Sequence, residues 1–578
     1  MADFGGIYNP RPRELARIGG IIERGRPQVL HRLDQSTLAA ALRRLPIDEL
    51  RPALQTKLVP LVNLADLQYF AACGPHALCL AKEHGLTVVA QASPADFLAA
   101  ARQAQGRWLL AEATSGLARR LPMMSASRRL TDRQGAMLAA GVGLVILGVL
   151  HLPLAASWFL ASLAAALFFL SVIAVRLLCL LPPPVPPPPP APRLADTDLP
   201  HYSVLVPLHR ETSVLRQLLE ALDRIDYPRD RLDLKLIIEE SDIPMQRELA
   251  ALQLPGHVDV IVVPCGSPQT KPRALNYALH FARGSLLTIF DAEDIPEPGQ
   301  LRRAAEAFAM LPSDTVCLQA ELVFDNPGEN WLTRQFAVEY ATLFGMILPA
   351  LDRHRLPLPL GGTSNHFRSE ILRAVGAWDA YNVTEDADLG IRLARMGYDT
   401  ATIAVRTFEE ATMHPGNWLR QRARWMKGFL ATWLVHMREP VETFRELGPA
   451  GFWSMQAMTI GVFASALVHP PCLIATLLLA VLHPGVPEGA NAAMMSLAGL
   501  NLLVFVLGYA VTMMAGWRAV RHRSPGGWLL PMVTMPLYWL FMSLAAWLAL
   551  WQFLVAPFHW NKTRHGQSRQ RRMTQKFR

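Results

Sequence analysis

The 578 residues are too many for one ordinary core, and at roughly 150 residues per domain they predict three or four units. Apolar residues make up 51% of the chain and charged residues 18%, against roughly 25% charged in a typical soluble protein. This balance excludes a disordered or collagen-like chain and puts part of it in lipid. The net charge of +9 and a pI near 9.4 leave nucleic acid, an anionic membrane or a phosphorylated substrate open. The six cysteines form no CxxC and read as reduced.

In chain order, Leu30–Leu45, Ile47–Leu54 and Ala95–Ala104 have helical spacing, with helix starts at Asp34-Gln35-Ser36 and Ser93-Pro94. They predict a small helical N-terminal cytoplasmic domain over 1–134. The apolar runs Gly135–Leu152 and Trp158–Leu181 form a predicted transmembrane hairpin over 135–181. Arginines on both sides put its flanks in the cytoplasm. Nine prolines between Pro182 and Pro192 make 182–200 a stiff, extended linker.

From Tyr202 the pattern alternates strand and helix, which predicts a mostly parallel sheet with helices on both faces. Ligands of such sheets sit beyond the C-terminal strand ends. Polar residues follow three predicted strands there: His209-Arg210-Glu211, Glu239-Glu240-Ser241-Asp242 and Asp291-Ala-Glu-Asp294. The third is an acidic cluster of the kind that holds Mg²⁺ or Mn²⁺ against substrate phosphates. Further on, Thr384-Glu385-Asp386 reads both as the carboxylate edge of a site and as a capping box opening the helix Asp388–Met396. In Gln421-Arg-Ala-Arg-Trp425, Arg424 suits an oxyanion and Trp425 a sugar ring; an amphipathic membrane-surface helix is the competing reading.

After Leu430 three apolar blocks follow, Phe452–Leu482, Ala493–Gly516 and Trp528–Val555, predicting interfacial and transmembrane helices over 431–560. Pro470-Pro471 is read as breaking the first. The third, with basic flanks on both sides, is read as dipping into the membrane and returning or as lying partly in the interface. The tail 561–578 carries seven Lys/Arg and no acid. It supplies +7 of the net charge, which suits anionic inner-leaflet lipids and removes the main support for nucleic-acid binding.

The segments VPLHRE, KPRALNYAL, DAED, TEDADLG and QRARW, in this order and between membrane helices, resemble the bacterial membrane-embedded family 2 glycosyltransferases, which include the cellulose and hyaluronan synthases. The resemblance implies an α/β GT-A catalytic domain over 201–430, Rossmann-like, inserted between transmembrane regions. It implies that Glu211 and Glu239 contact the nucleoside, with Asp242 assisting, and that Lys271 lies near the nucleotide. Asp291 with Glu293 or Asp294 would hold Mg²⁺ or Mn²⁺. Here a glutamate replaces the family's second aspartate, so either acid can be the ligand. Asp386, next to Glu385, would be the general base. Arg424 would grip the diphosphate, and Gln421, Trp425 and Thr384 the acceptor.

The implied activity is inverting transfer from a UDP-sugar, with UDP-glucose the commonest family donor, onto a growing β-linked glycan that then crosses the membrane. The competing readings are a single transfer to a lipid and a catalytically silent nucleotide-sugar-sensing scaffold. The resemblance further implies the bacterial inner membrane with the catalytic domain in the cytoplasm. The N-terminal segment faintly resembles modules of secretion ATPases, some of which bind cyclic dinucleotides; a cyclic dinucleotide or a secretion-complex partner is expected on that ground alone.

Overall fold

The computed structural model describes residues 30–64, 67–181, 192–482, 492–523 and 526–555. The proline run and the basic tail lie outside them. The N-terminal segment is not simply helical. Its strands β1 (His31–Arg32), β2 (Leu58–Leu64), β3 (Leu67–Cys73) and β4 (Thr87–Ala92) form a sheet in the order β1-β4-β3-β2. Short apolar runs such as Leu58–Leu64 carry no helical period, so helical spacing does not reveal them. The expected helix starts are present: Asp34 caps Gln35–Arg44 by accepting from the Thr37 N–H, and Ser93 caps Pro94–Arg120 by accepting from the Asp96 N–H.

The central sheet has eight strands: β5 (Tyr202–Leu208), β6 (Leu232–Glu239), β7 (Val258–Val263), β8 (Leu286–Ile289), β9 (Ile295–Pro296), β10 (Thr315–Phe324), β11 (Asn365–Arg368) and β12 (Asp399–Glu409). Their order is β7-β6-β5-β8-β11-β10-β12-β9. The sheet is mixed, but β10 and β12 also pair parallel, so six of the eight strands run one way and the mostly parallel expectation holds. β7, β6, β5 and β8 run parallel, β11 is antiparallel to both neighbours, and β9 is antiparallel to β12. The first four strands are the ones the alternating pattern reveals. Gln319 and Asn365, the polar partners in the β10–β11 register, conceal the other half.

β6 is buried along its whole length yet contains Asp233 and Lys235. Lys235 Nζ lies 2.7 Å from Asp233 and 2.6 Å from Asp259 on β7. Asp259 also takes Lys57 of the N-terminal segment at 2.7 Å. Lys57 occupies the left-handed position that ends the helix Ile47–Thr56, which turns its side chain toward the central sheet. Burial alone would raise the Asp259 carboxyl, but the two lysines hold it well below the usual range. The N-terminal helix Pro94–Arg120 docks beside this cluster. Asn276 of the KPRALNYAL segment donates to Ala113 O at 3.0 Å and Trp378 O at 2.7 Å.

Among the described residues, five helical segments are long and apolar enough to cross a membrane: Asp132–His151, Ala156–Leu178, Pro440–Pro471, Ala492–Val520 and Leu529–Val555. Two expectations change here. The helix Val462–Leu482 runs through Pro470 and Pro471, and the break comes earlier, at Gly448 (φ 66°), just before Pro449. Leu529–Val555 is one continuous helix with Pro536 inside it and does not turn back.

Asp259→Asn leaves Lys57 and Lys235 facing each other without their shared counter-ion. Breaking such a buried pair costs about 3–5 kcal/mol. Thermal unfolding and limited proteolysis should show a lower midpoint and earlier release of the N-terminal segment; wild-type behaviour in both would refute the docking role.

Candidate active site

The C-terminal ends of β5, β6 and β8 open into one cavity of about 1340 Å³. Its catalytic-domain wall includes Glu211, Glu239, Lys271, Asp291, Glu293, Thr384, Glu385, Asp386, Gln421, Arg424 and Trp425. All but two of the site residues expected from the sequence therefore converge. The exceptions are Asp242 and Asp294, which lie behind the wall. Asp242 caps the helix Ile243–Ala250 through the Met245 N–H at 3.4 Å and also accepts from the Arg210 N–H at 2.5 Å. Its carboxylate thus fastens the turn after β5 to the end of β6. Arg210 is held there at φ 56°.

Lys271 opens the helix Lys271–Leu279, with its ammonium 2.5 Å from Asp291 and 2.6 Å from Gly362 O. Burial alone would lower this amine, but Asp291, Glu385 and Asp386 raise it above its ordinary value. Asp294 accepts from the Asp291 N–H at 2.7 Å and from the Thr363 hydroxyl. It is 1% exposed, and its Oδ1 has no hydrogen-bond partner among the described residues. Burial, then Asp291 and Glu293, push its carboxyl well above the usual range. Of the two candidate acids beside Asp291, Glu293 is the one on the cavity wall.

Glu385 and Asp386 stand in the first turn of the helix Glu385–Arg395. The capping box is not formed: Thr384 is the N-cap but makes no side-chain cap bond. Its hydroxyl instead lies 3.3 Å from that of Thr432. Burial, then the Asp386 charge, pushes Glu385 up to about 7, and burial also raises Asp386. Asp386 Oδ1 accepts from the Ala387 N–H at 2.8 Å, and its Oδ2 faces Gly362, where a Cβ would come within 3.2 Å.

Other motif residues hold the frame. Asp388, fully buried, binds Arg392 at 3.0 Å and His436 at 3.1 Å, tying the Glu385 helix to the end of the helix Pro415–His436. Gly390 packs against backbone, and a Cβ at this position would come within 2.0 Å of Leu358 O. Arg422, not singled out by the sequence, pairs with both Glu339 oxygens at 2.5 and 2.7 Å and lies 4.6 Å from the Trp425 ring centre. Tyr340 stacks on Trp425 at 6.1 Å. Gln421 Oε1 accepts from the Thr412 hydroxyl at 3.3 Å. His414 is the N-cap of the Pro415–His436 helix.

Sequence reasoning missed Glu409 and Glu410, which line the same cavity at the end of β12. The signal was an acid pair after the run Ala401–Phe408, whose strand character is disguised by Arg406 and two threonines. Burial, then Asp294, Glu293 and Asp291, push the Glu409 carboxyl well above its ordinary range. Among the described residues no three His, Cys, Asp or Glu side chains form a preformed metal cage. The all-oxygen donor set and the orphaned Asp294 Oδ1 nonetheless fit a hard divalent cation that takes part of its coordination from phosphates.

The cavity continues between the membrane helices, where Arg176 reaches Thr512 at 2.7 Å, His469 reaches Tyr509 at 3.0 Å and Asn501 reaches Ser162 at 2.7 Å. Polar side chains in such segments mark substrate or ion paths.

Gly428→Ala should push Thr384 aside, because the new Cβ would lie 2.3 Å from Thr384 Cγ2. A crystal or cryo-EM structure should show the start of the Glu385 helix displaced, with transfer reduced at least tenfold; unchanged turnover would show that this contact does not set Asp386.

The model of the family described as "Glycosyltransferase like family 2" matches residues 200–428. The chain is 26% identical to the probable glycosyltransferase YdaM of Bacillus subtilis over 40% of this chain and 56% of that one. It is 28% identical to cellulose synthase 2 of Novacetimonas hansenii over 56% of this chain and 20% of that one. With the beta-monoglucosyldiacylglycerol synthase of Synechocystis it shares 26% over 56% of this chain and 67% of that one. The matched region thus spans about half of the first relative and one fifth of the second.

Proposed function

Because this membrane protein carries a glycosyltransferase family 2 domain with a GT-A-like fold, we propose that it is an inverting hexosyltransferase that uses a UDP-sugar, UDP-glucose first among candidates, to extend a β-linked polysaccharide and pass it across the bacterial inner membrane. The observation that carries this reading is the single cavity joining Lys271, Asp291 and Asp386 to the polar pairs between the membrane helices. The cavity leads away from the strand ends through a mostly apolar lining in which Ser162, His469, Asn501, Tyr509 and Thr512 are interspersed. Similarity to a cellulose synthase supports polymer synthesis. A single transfer to a lipid is the outcome that product analysis would distinguish.

In this reading Glu211 and Glu239 receive the nucleoside, and the ammonium of Lys271 stands beside the diphosphate. Asp291 and Glu293 would hold Mg²⁺ or Mn²⁺, which when bound neutralises charge gathering on the leaving diphosphate. Asp294 stays behind as the acid that fixes the Asp291 backbone. Trp425, braced by Tyr340 and Arg422, lines the acceptor position, with Gln421 and Thr384 nearby. Asp386 accepts the proton of the acceptor hydroxyl as that oxygen bonds to the anomeric carbon. The anomeric bond to the diphosphate breaks in the same displacement, Arg424 takes part of the released charge, and the configuration inverts. Glu385 and Asp386 titrate as a pair, and a base at this position works in its deprotonated form.

Purified protein offered a panel of UDP-sugars with Mg²⁺ or Mn²⁺ should release UDP, and inverted vesicles should yield a polymer; one added sugar in the lipid extract would exclude the polymerase. Asp386→Asn should keep UDP binding while transfer falls about 10²–10⁴-fold; wild-type turnover would sink the base assignment. The value of about 7 for Glu385 sets the window for pH dependence. kcat/KM should respond to pH through that region as Glu385 titrates beside the base, and Glu385→Gln should abolish that step while leaving the limb set by Asp386 in place.

A further inference from the structure

β9 and β12 run antiparallel, with Pro296 opposite Thr407 and Ile295 opposite Phe408. One further step of this register brings Asp294 opposite Glu409, so the acid at the end of β12 faces the acidic loop that follows β8. The end of β12 is fixed, because the Glu409 carbonyl accepts from the Asp325 N–H at 3.0 Å. Glu409 lines the cavity with Asp291 and Glu293, yet its Oε1 is sealed from solvent and has no hydrogen-bond partner among the described residues. Asp294 Oδ1, behind it, is in the same condition. Lys271 answers Asp291 at 2.5 Å. A buried carboxylate oxygen without a partner is costly, and two such atoms beside two further acids call for positive charge from outside the chain.

We propose that Glu409 belongs to the divalent-cation site of the donor, facing the ion from the strand opposite Asp291 and Glu293. The contact runs through a water of the ion, since the described residues hold no preformed cage, and a small hard cation keeps several of its waters. Nothing in the TEDADLG, DAED or QRARW segments marks this residue; only the pairing of β12 with β9 brings it in. The inference rests on the metal-dependent reading given above.

The test uses the full chain in detergent, with Mn²⁺ alone followed by electron paramagnetic resonance. Carboxylates that support a metal from beyond its direct ligands contribute about 10–100-fold in affinity. Glu409→Gln should therefore weaken Mn²⁺ binding at least about tenfold, with Glu409→Asp in between, and leave UDP binding in EDTA at the wild-type level. Wild-type Mn²⁺ affinity in Glu409→Gln would overturn this inference alone. Loss of UDP binding in EDTA would assign Glu409 to the nucleotide and overturn it as well. No Mn²⁺ binding by the wild type would overturn both this inference and the metal in the proposed function.

Discussion

The site is built around an excess of buried negative charge. Asp291, Glu293, Asp294, Glu385, Asp386, Glu409 and Glu410 collect around one cavity or just behind its wall, and Lys271 is the ammonium that reaches into them. Burial raises the proton affinity of a carboxylate and crowded like charges raise it further; the shifts at Asp294, Glu385 and Glu409 follow from burial first and crowding second. Part of the repulsion is offset where Glu385 and Asp386 sit in the first turn of a helix, among its free backbone N–H groups. The arrangement is poised for a ligand that brings cations with it. A polar acceptor meets acids whose protons are loosely partitioned.

Around this charge, the motif residues divide into those that face the cavity and those that hold its wall. Asp386 faces in, while Asp388, two positions on, is spent on Arg392 and His436. Arg424 faces in, while Arg422 clamps Glu339 beneath the aromatic stack. Gly390 and Gly428 have no chemistry at all; they let Leu358 and Thr384 approach where a side chain would collide. A short motif thus encodes a carboxylate or guanidinium together with the packing that aims it.

Much of this was legible in the linear chain. The acids after β5, β6 and β8 follow apolar runs, and strand-end logic alone brings Glu211, Glu239 and Asp291 together. Glu409 was not legible because β12 carries Arg406 and alternating threonines, and its importance comes from pairing with β9, more than a hundred residues earlier in the chain. Asp242 misled for the opposite reason. It lies at the right strand end, but a proline-led helix follows at once and takes its carboxylate as a cap. The N-terminal strands were hidden because short apolar runs have no period that separates strand from buried helix. The proline pair at 470–471 misled as well, since neighbouring helices tolerate it and a glycine further upstream makes the bend.

The ion cluster on β6 and β7 bears on how such domains can be recombined. Lys57 supplies one of the two positive charges that Asp259 needs, and it comes from outside the region that family comparison recognises. A catalytic cassette cut at residue 200 would keep Lys235 between Asp233 and Asp259, with Arg283 3.4 Å from Asp233, but would lose Lys57 and expose the Asp259 carboxylate to water. The same sheet carries Glu239 at its other end. Grafting this domain onto a different N-terminal module therefore works best with a donor at the position of Lys57, so that Asp259 keeps its second partner.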